Sequence, residues 1–138
     1  MIRGTGVDII EISRIQKAFR NSDKFGPRVF TAIEQDYCMG KKYPWPSLAA
    51  RFAAKEAVAK AMGTGIGRVS WTDIEIVKNE GGCPQARLSG AALETARGLG
   101  ISGFQISLSH CKEYAVAFVV AHGEPSSAGV RVIAADYH

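Results

Sequence analysis

The chain has 138 residues, of which 46% are hydrophobic and 22% charged, with a formal net charge of +4. That length suits one domain with its own core; no apolar run approaches the about 20 residues that span a bilayer, and the N-terminus shows no secretory leader pattern, so the expected compartment is the cytoplasm. The basic excess favours acidic partners or polyphosphate ligands, and no dense Lys/Arg run with interleaved aromatics points to nucleic acid.

Ile2 to Ile10 is predicted as a strand, with Gly4-Thr5-Gly6 allowing close backbone approach. Ser13 or Glu11 then opens a short helix to about Arg20, with Ile12, Ile15 and Phe19 at helical apolar spacing. Asn21-Ser22 and Gly26-Pro27 break it, and Thr31 with Glu34 three residues on is a capping box for a second short helix ending near Gly40. Lys41 to Pro46 is predicted as a loop. The strongest helix runs from Ser47 to about Met62, stopped by Gly63, with an alanine-rich middle and Leu48, Phe52, Val58 and Met62 as its larger apolar side chains.

After the glycine-rich GTGIGRVS connection, IEIVK alternates as a half-buried strand does, Asn79 to Pro84 turns, and Gln85 to Leu88 returns. Ser89 to Gly98 is predicted as a helix with Ala91, Leu93, Ala96 and Leu99 on its buried side. FQISLSH and YAVAFVVA form two strands joined by Cys111-Lys112-Glu113. The order β-α-α-α-β-β-α-β-β implies an α+β domain over residues 1–123, its long helix packed on a mainly antiparallel sheet. Residues 124–138 read as a tail or an added edge strand.

Chemistry gathers around two carboxylates from distant segments, Asp8 in GTGVDII and Glu56 in RFAAKEAVAKA, with Arg51, Lys55 and Lys60 nearby. One or two carboxylates completed by phosphate oxygens and water is the usual setting for Mg²⁺, and the cations would hold the remaining phosphate charge. Lys60 lies one turn beyond Glu56 on the same face. Singly, each residue has a plainer reading: Asp8 as a cap, Glu56 and Lys60 as a solvated pair, Lys55 as surface, His110 as a core histidine, and Gly63, Gly65 and Gly67 as a helix stop rather than a phosphate cradle. Cys38, Cys83 and Cys111 form no CxxC or zinc spacing and read as reduced thiols.

Three motifs in order, GVDIIEISRI, RFAAKEAVAKAMGTGIG and ISLSHCKEYAVAFVVA, closely resemble the small bacterial 4′-phosphopantetheinyl transferases, the holo-acyl-carrier-protein synthase family, over about residues 1 to 122. The resemblance implies transfer of 4′-phosphopantetheine from coenzyme A to a serine of apo acyl carrier protein, with release of 3′,5′-ADP. It also implies Mg²⁺ on Asp8 and Glu56, with Lys60 as a third catalytic residue, and a homotrimer with active sites between subunits. Coenzyme A would be held by Asp8, Arg51, Glu56, Lys60, Gly63, Gly65, Pro84 and His110. The serine proton has two candidate acceptors, a metal-bound water or Glu56. The chain departs from the family pattern at Cys83, Cys111 and Ala18.

Arg14, Lys17 and Arg20 recur every three residues on one side of the first helix, followed by Lys24 and Arg28. A solvated basic face explains them alone; the resemblance makes Arg14, Lys17, Phe25 and Arg28 a docking surface for the acidic carrier, with Phe25 as an apolar anchor. Two readings from other classes remain: a non-catalytic module that binds acidic helical proteins, and a nucleic-acid binder recognised by steep salt sensitivity. Within enzymes, a phosphohydrolase would release 3′,5′-ADP without any carrier.

Overall fold

The computed structural model describes residues 1–124. Strand β1 (Ile2–Glu11) leads into helices α1 (Ile12–Asn21), α2 (Phe25–Val29), α3 (Ala32–Met39) and α4 (Trp45–Ala61). Strands β2 (Ile74–Lys78) and β3 (Pro84–Leu88), helix α5 (Gly90–Gly98), and strands β4 (Gly103–His110) and β5 (Tyr114–His122) complete it. The sheet order is β1-β5-β4, antiparallel throughout, and β2 and β3 form a separate antiparallel hairpin. The expected α+β class and long helix on an antiparallel sheet are both present. The expected tail, 124–138, lies outside the described residues apart from Glu124.

Helix α4 is the spine. Its residues Ala49, Ala53, Ala54, Ala57, Val58 and Ala61 are buried, and so are Ala115, Ala117, Val119 and Ala121 on β5, the strand it crosses. Small residues on both surfaces let the helix lie close to the sheet. On β1 the approach is closer still, since a Cβ at Gly4 would strike the Ala61 carbonyl and one at Gly6 the Ala57 carbonyl. The opposite face of this sheet carries Val7, Ile9, Tyr114 and Phe118, all exposed.

Four expectations need correction. Gly26-Pro27 does not break the chain but sits in the short helix α2, where proline in a first turn gives up no hydrogen bond. Helix α4 starts at Trp45, inside the expected loop, with Pro46 in its first turn and the Leu48 N–H donating to the Pro44 carbonyl at 3.0 Å. On α5 the buried residues are Ala92 and Ala96, and Ala91 is exposed.

Lys55 is the fourth, and it is not a surface residue. Its side chain is fully buried, with Nζ 2.7 Å from Glu34 Oε1 and donating to the Trp71 carbonyl at 3.0 Å. Glu34 also accepts from the Thr31 N–H at 2.9 Å and the Ile76 N–H at 2.7 Å. The capping glutamate of α3 thus also ties that helix to α4 and β2. Burial pulls the Lys55 ammonium below its usual value, and the Glu34 carboxylate opposes that shift.

Candidate active site

Strand β1 and helix α4 bring Asp8, Glu56 and Lys60 together. Asp8 stands opposite Ala117 in the β1–β5 ladder, on the face that α4 covers. Its side chain is 19% exposed and that of Lys60 51%, so the carboxylate is held in the fold while the ammonium reaches it from the rim. Lys60 Nζ donates to the Val7 carbonyl at 3.0 Å and to Asp8 Oδ1 at 3.3 Å. Asp8 therefore does not serve as a cap for α1, whose N-cap is Glu11 without a side-chain bond.

Glu56, one turn before Lys60, is half-buried. Burial first, and the Asp8 charge second, push its carboxyl above the ordinary value, while Lys60 pulls it down. Two carboxylates against one ammonium leave a local negative excess. Oxygen-only donors of this kind fit Mg²⁺, which is held by one or two carboxylates and shares the rest of its shell with phosphate and water. Among the described residues no group of three or more His, Cys, Asp or Glu side chains forms a closed cage.

The other expected residues fall into two clefts with no lining residue in common. One, of about 550 Å³, is lined by Lys60, Gly63, Gly65, Val7 and Phe118 among others. Gly63 and Gly65 have φ of 76° and 65°, as left-handed residues after a helix do. Their N–H groups donate to the carbonyls of Lys60 and Ala59 at 2.9 and 3.3 Å, and that of Gly67 to Val69 at 3.0 Å. The loop is a helix stop whose glycine amides are already used, so Gly63, Gly65 and Gly67 offer no free N–H groups as a cradle.

The second cleft, of about 620 Å³, is lined by Arg51, Pro84, His110, Lys41 and Lys78 among others. Arg51 is buried, and Nη1 donates to Ser47 Oγ at 2.9 Å while Nε has no partner among the described residues. His110 is exposed at the end of β4 rather than sitting in the core. Lys41 and Lys78 were not singled out from the sequence; only their charge marked them. Cys83 and Cys111 are both exposed, and Cys38 is buried.

Arg14, Lys17, Arg20, Lys24 and Arg28 are all exposed on the α1–α2 side. Phe25 lies beside them. It is half-buried, packed edge-on against Phe19 at 5.3 Å and Phe30 at 6.3 Å between centroids.

Comparisons with known proteins identify the fold and the family. The 4′-phosphopantetheinyl transferase superfamily matches residues 4–119. The holo-[acyl-carrier-protein] synthase of Moorella thermoacetica is 48% identical over 124 residues, covering 90% of this chain and 97% of its own. The crystal structure of the Neisseria meningitidis holo-[acyl-carrier-protein] synthase superposes with a TM-score of 0.81 at 38% identity, covering 88% of this chain and 99% of that one. That of the Bacillus anthracis enzyme, solved in complex with CoA (3′,5′-ADP), gives 0.75 at 41% identity, over 90% and 99%. The chain therefore belongs to the holo-[acyl-carrier-protein] synthase family of the 4′-phosphopantetheinyl transferase superfamily.

Proposed function

We propose that this protein moves 4′-phosphopantetheine from coenzyme A to a serine hydroxyl of apo acyl carrier protein, with Mg²⁺, releasing 3′,5′-ADP. The observation that carries the reading is the cluster of Asp8, Glu56 and Lys60 at the β1–α4 contact. In the transfer a bond forms from the serine oxygen to the β-phosphorus of coenzyme A, and the bond from that phosphorus to the bridging oxygen breaks. The bridging oxygen leaves with its negative charge on 3′,5′-ADP, and the serine proton passes to Glu56 or to water.

Asp8 and Glu56 would hold Mg²⁺, which when bound draws charge from the pyrophosphate. Lys60 is exposed enough to exchange the Asp8 oxygen for a phosphate oxygen. Gly63 and Gly65, having no side chains, leave room beside it. Arg51, Pro84 and His110 would hold the rest of the coenzyme in the second cleft.

Since the two clefts are separate in one chain, the reading includes a homotrimer in which one copy supplies the Asp8 cluster and its neighbour the Arg51 cleft. The exposed apolar sheet face supports this: Phe118 and Val7 lie both on that face and in the Lys60 cleft, and such a face is normally covered. The number three comes from the resemblance. Arg14, Lys17 and Arg28 would steer the acidic carrier, with Phe25 stiffening the surface from below. A cytoplasmic role in fatty-acid synthesis belongs to the same reading. Among the described residues no helix is long and apolar enough to cross a membrane.

The test is the intact mass of an apo carrier protein incubated with this protein, coenzyme A and Mg²⁺, with and without EDTA. The carrier should gain one phosphopantetheine only with free metal, and Asp8→Ala should lower the rate by about a hundred-fold or more. Full activity in EDTA or in Asp8→Ala would remove the metal site.

A further inference from the structure

The ring of Tyr37 on α3 lies against three cations. The Arg51 guanidinium carbon is 4.6 Å from its centroid, the Lys41 ammonium 5.1 Å and the Lys78 ammonium 5.7 Å. They come from three segments: α4, the turn after α3, and the end of β2. All three line the 620 Å³ cleft. Among the described residues none of them forms an ion pair with a carboxylate.

Among the described residues Arg51 is otherwise held only by its bond to Ser47, and its buried Nε lacks a partner there. A carboxylate in place of the ring would hold the guanidinium more firmly but would cancel its charge. An aromatic face attracts cations while leaving them positive toward the cleft. The nearby Lys78, Lys41 and Arg51 cations hold the Tyr37 hydroxyl below its ordinary value, in keeping with a strongly positive surround.

We infer that Tyr37 is a positioning residue, whose ring holds Arg51 toward the phosphate-bearing end of coenzyme A and keeps Lys41 and Lys78 beside it without neutralising them. The inference rests on the reading that this cleft takes coenzyme A. The ring acts on binding and not on the phosphorus under attack, so it sets KM rather than kcat.

Steady-state kinetics and calorimetric binding of coenzyme A test it, with thermal melts as a check on folding. Tyr37→Leu should raise KM and Kd for coenzyme A by about five-fold with kcat within about two-fold, and Tyr37→Phe, which keeps the ring, should restore both. Tyr37→Gln is the second variant should Tyr37→Leu fold poorly, and it should match the Leu result. In an Arg51→Ala background the Tyr37→Leu effect should shrink to about two-fold or less. A raised KM in Arg51→Ala with no change in Tyr37→Leu overturns the inference alone. An unchanged KM in Arg51→Ala overturns the coenzyme reading of the cleft, and the inference with it. A fall in kcat at constant KM, or Tyr37→Phe as poor as Tyr37→Leu, also overturns it.

Discussion

Around Asp8 the chain sets two carboxylates against one ammonium, an arrangement that suits a bound cation better than it suits the metal-free fold. The strain falls on Glu56, whose carboxyl is raised mainly by burial and then by Asp8. A raised carboxyl value means stability that is present in acid and lost as pH climbs through the folded-state value. Glu56→Gln should therefore raise the Tm of the metal-free protein near neutral pH by about 1–3 °C, an effect softened by the residue's partial exposure. The gain should vanish below the ordinary carboxylate range, where wild-type Glu56 is already protonated. A variant that melts with the wild type at both pH values would show that Glu56 is not strained. Glu56 and Lys60 were legible in the sequence because helical spacing puts them on one face, whereas Asp8 was joined to them by the resemblance. The used-up amides of the glycine loop were not legible, since spacing does not say which N–H groups a helix end consumes.

At the scale of elements, α4 decides most of the structure, and its composition explains what was readable. Alanine propensity and the Gly63 stop marked the helix, and Gly4 and Gly6 marked a close approach whose partner only the fold reveals. The same alanines hid Lys55, because a helix with small residues on every side shows no polar stripe by which to tell solvent from core. Helix α2 was hidden by Gly26-Pro27, a pair that reads as a breaker although Pro27 needs no donor there and Gly26 fits against Phe19 and Gln35. The Glu34–Lys55 pair joins α3, α4 and β2. Lys55→Met leaves Glu34 buried without its counter-charge and should cost about 3–5 kcal/mol in urea unfolding. Adding Glu34→Gln should recover part of that loss. A single-variant cost below about 1 kcal/mol would mean the pair is not a clamp.

At the scale of the whole molecule, the described residues leave Val7, Ile9, Tyr114 and Phe118 exposed on one sheet face, and the two clefts share no lining residue. Nothing in the order of the motifs told which residues share a cleft, because sequence distance carries no record of which side of the sheet a segment reaches. A symmetric assembly across the Val7 and Phe118 face would cover the apolar surface and join the half-sites in one arrangement. The most direct measurement is subunit complementation. Glu56→Ala chains, nearly inactive alone, and Arg51→Ala chains, nearly inactive at coenzyme A far below their raised KM, are co-expressed with different tags, and assemblies that carry both tags are purified and assayed at that low coenzyme A. With the cluster from one copy and the cleft from its neighbour, every mixed trimer regains one intact site, and carrier modification should return to about a third of the wild-type rate. Mixed assemblies no more active than the parents would contradict the shared site, and would place Arg51 and Glu56 in service of one chain's own reaction.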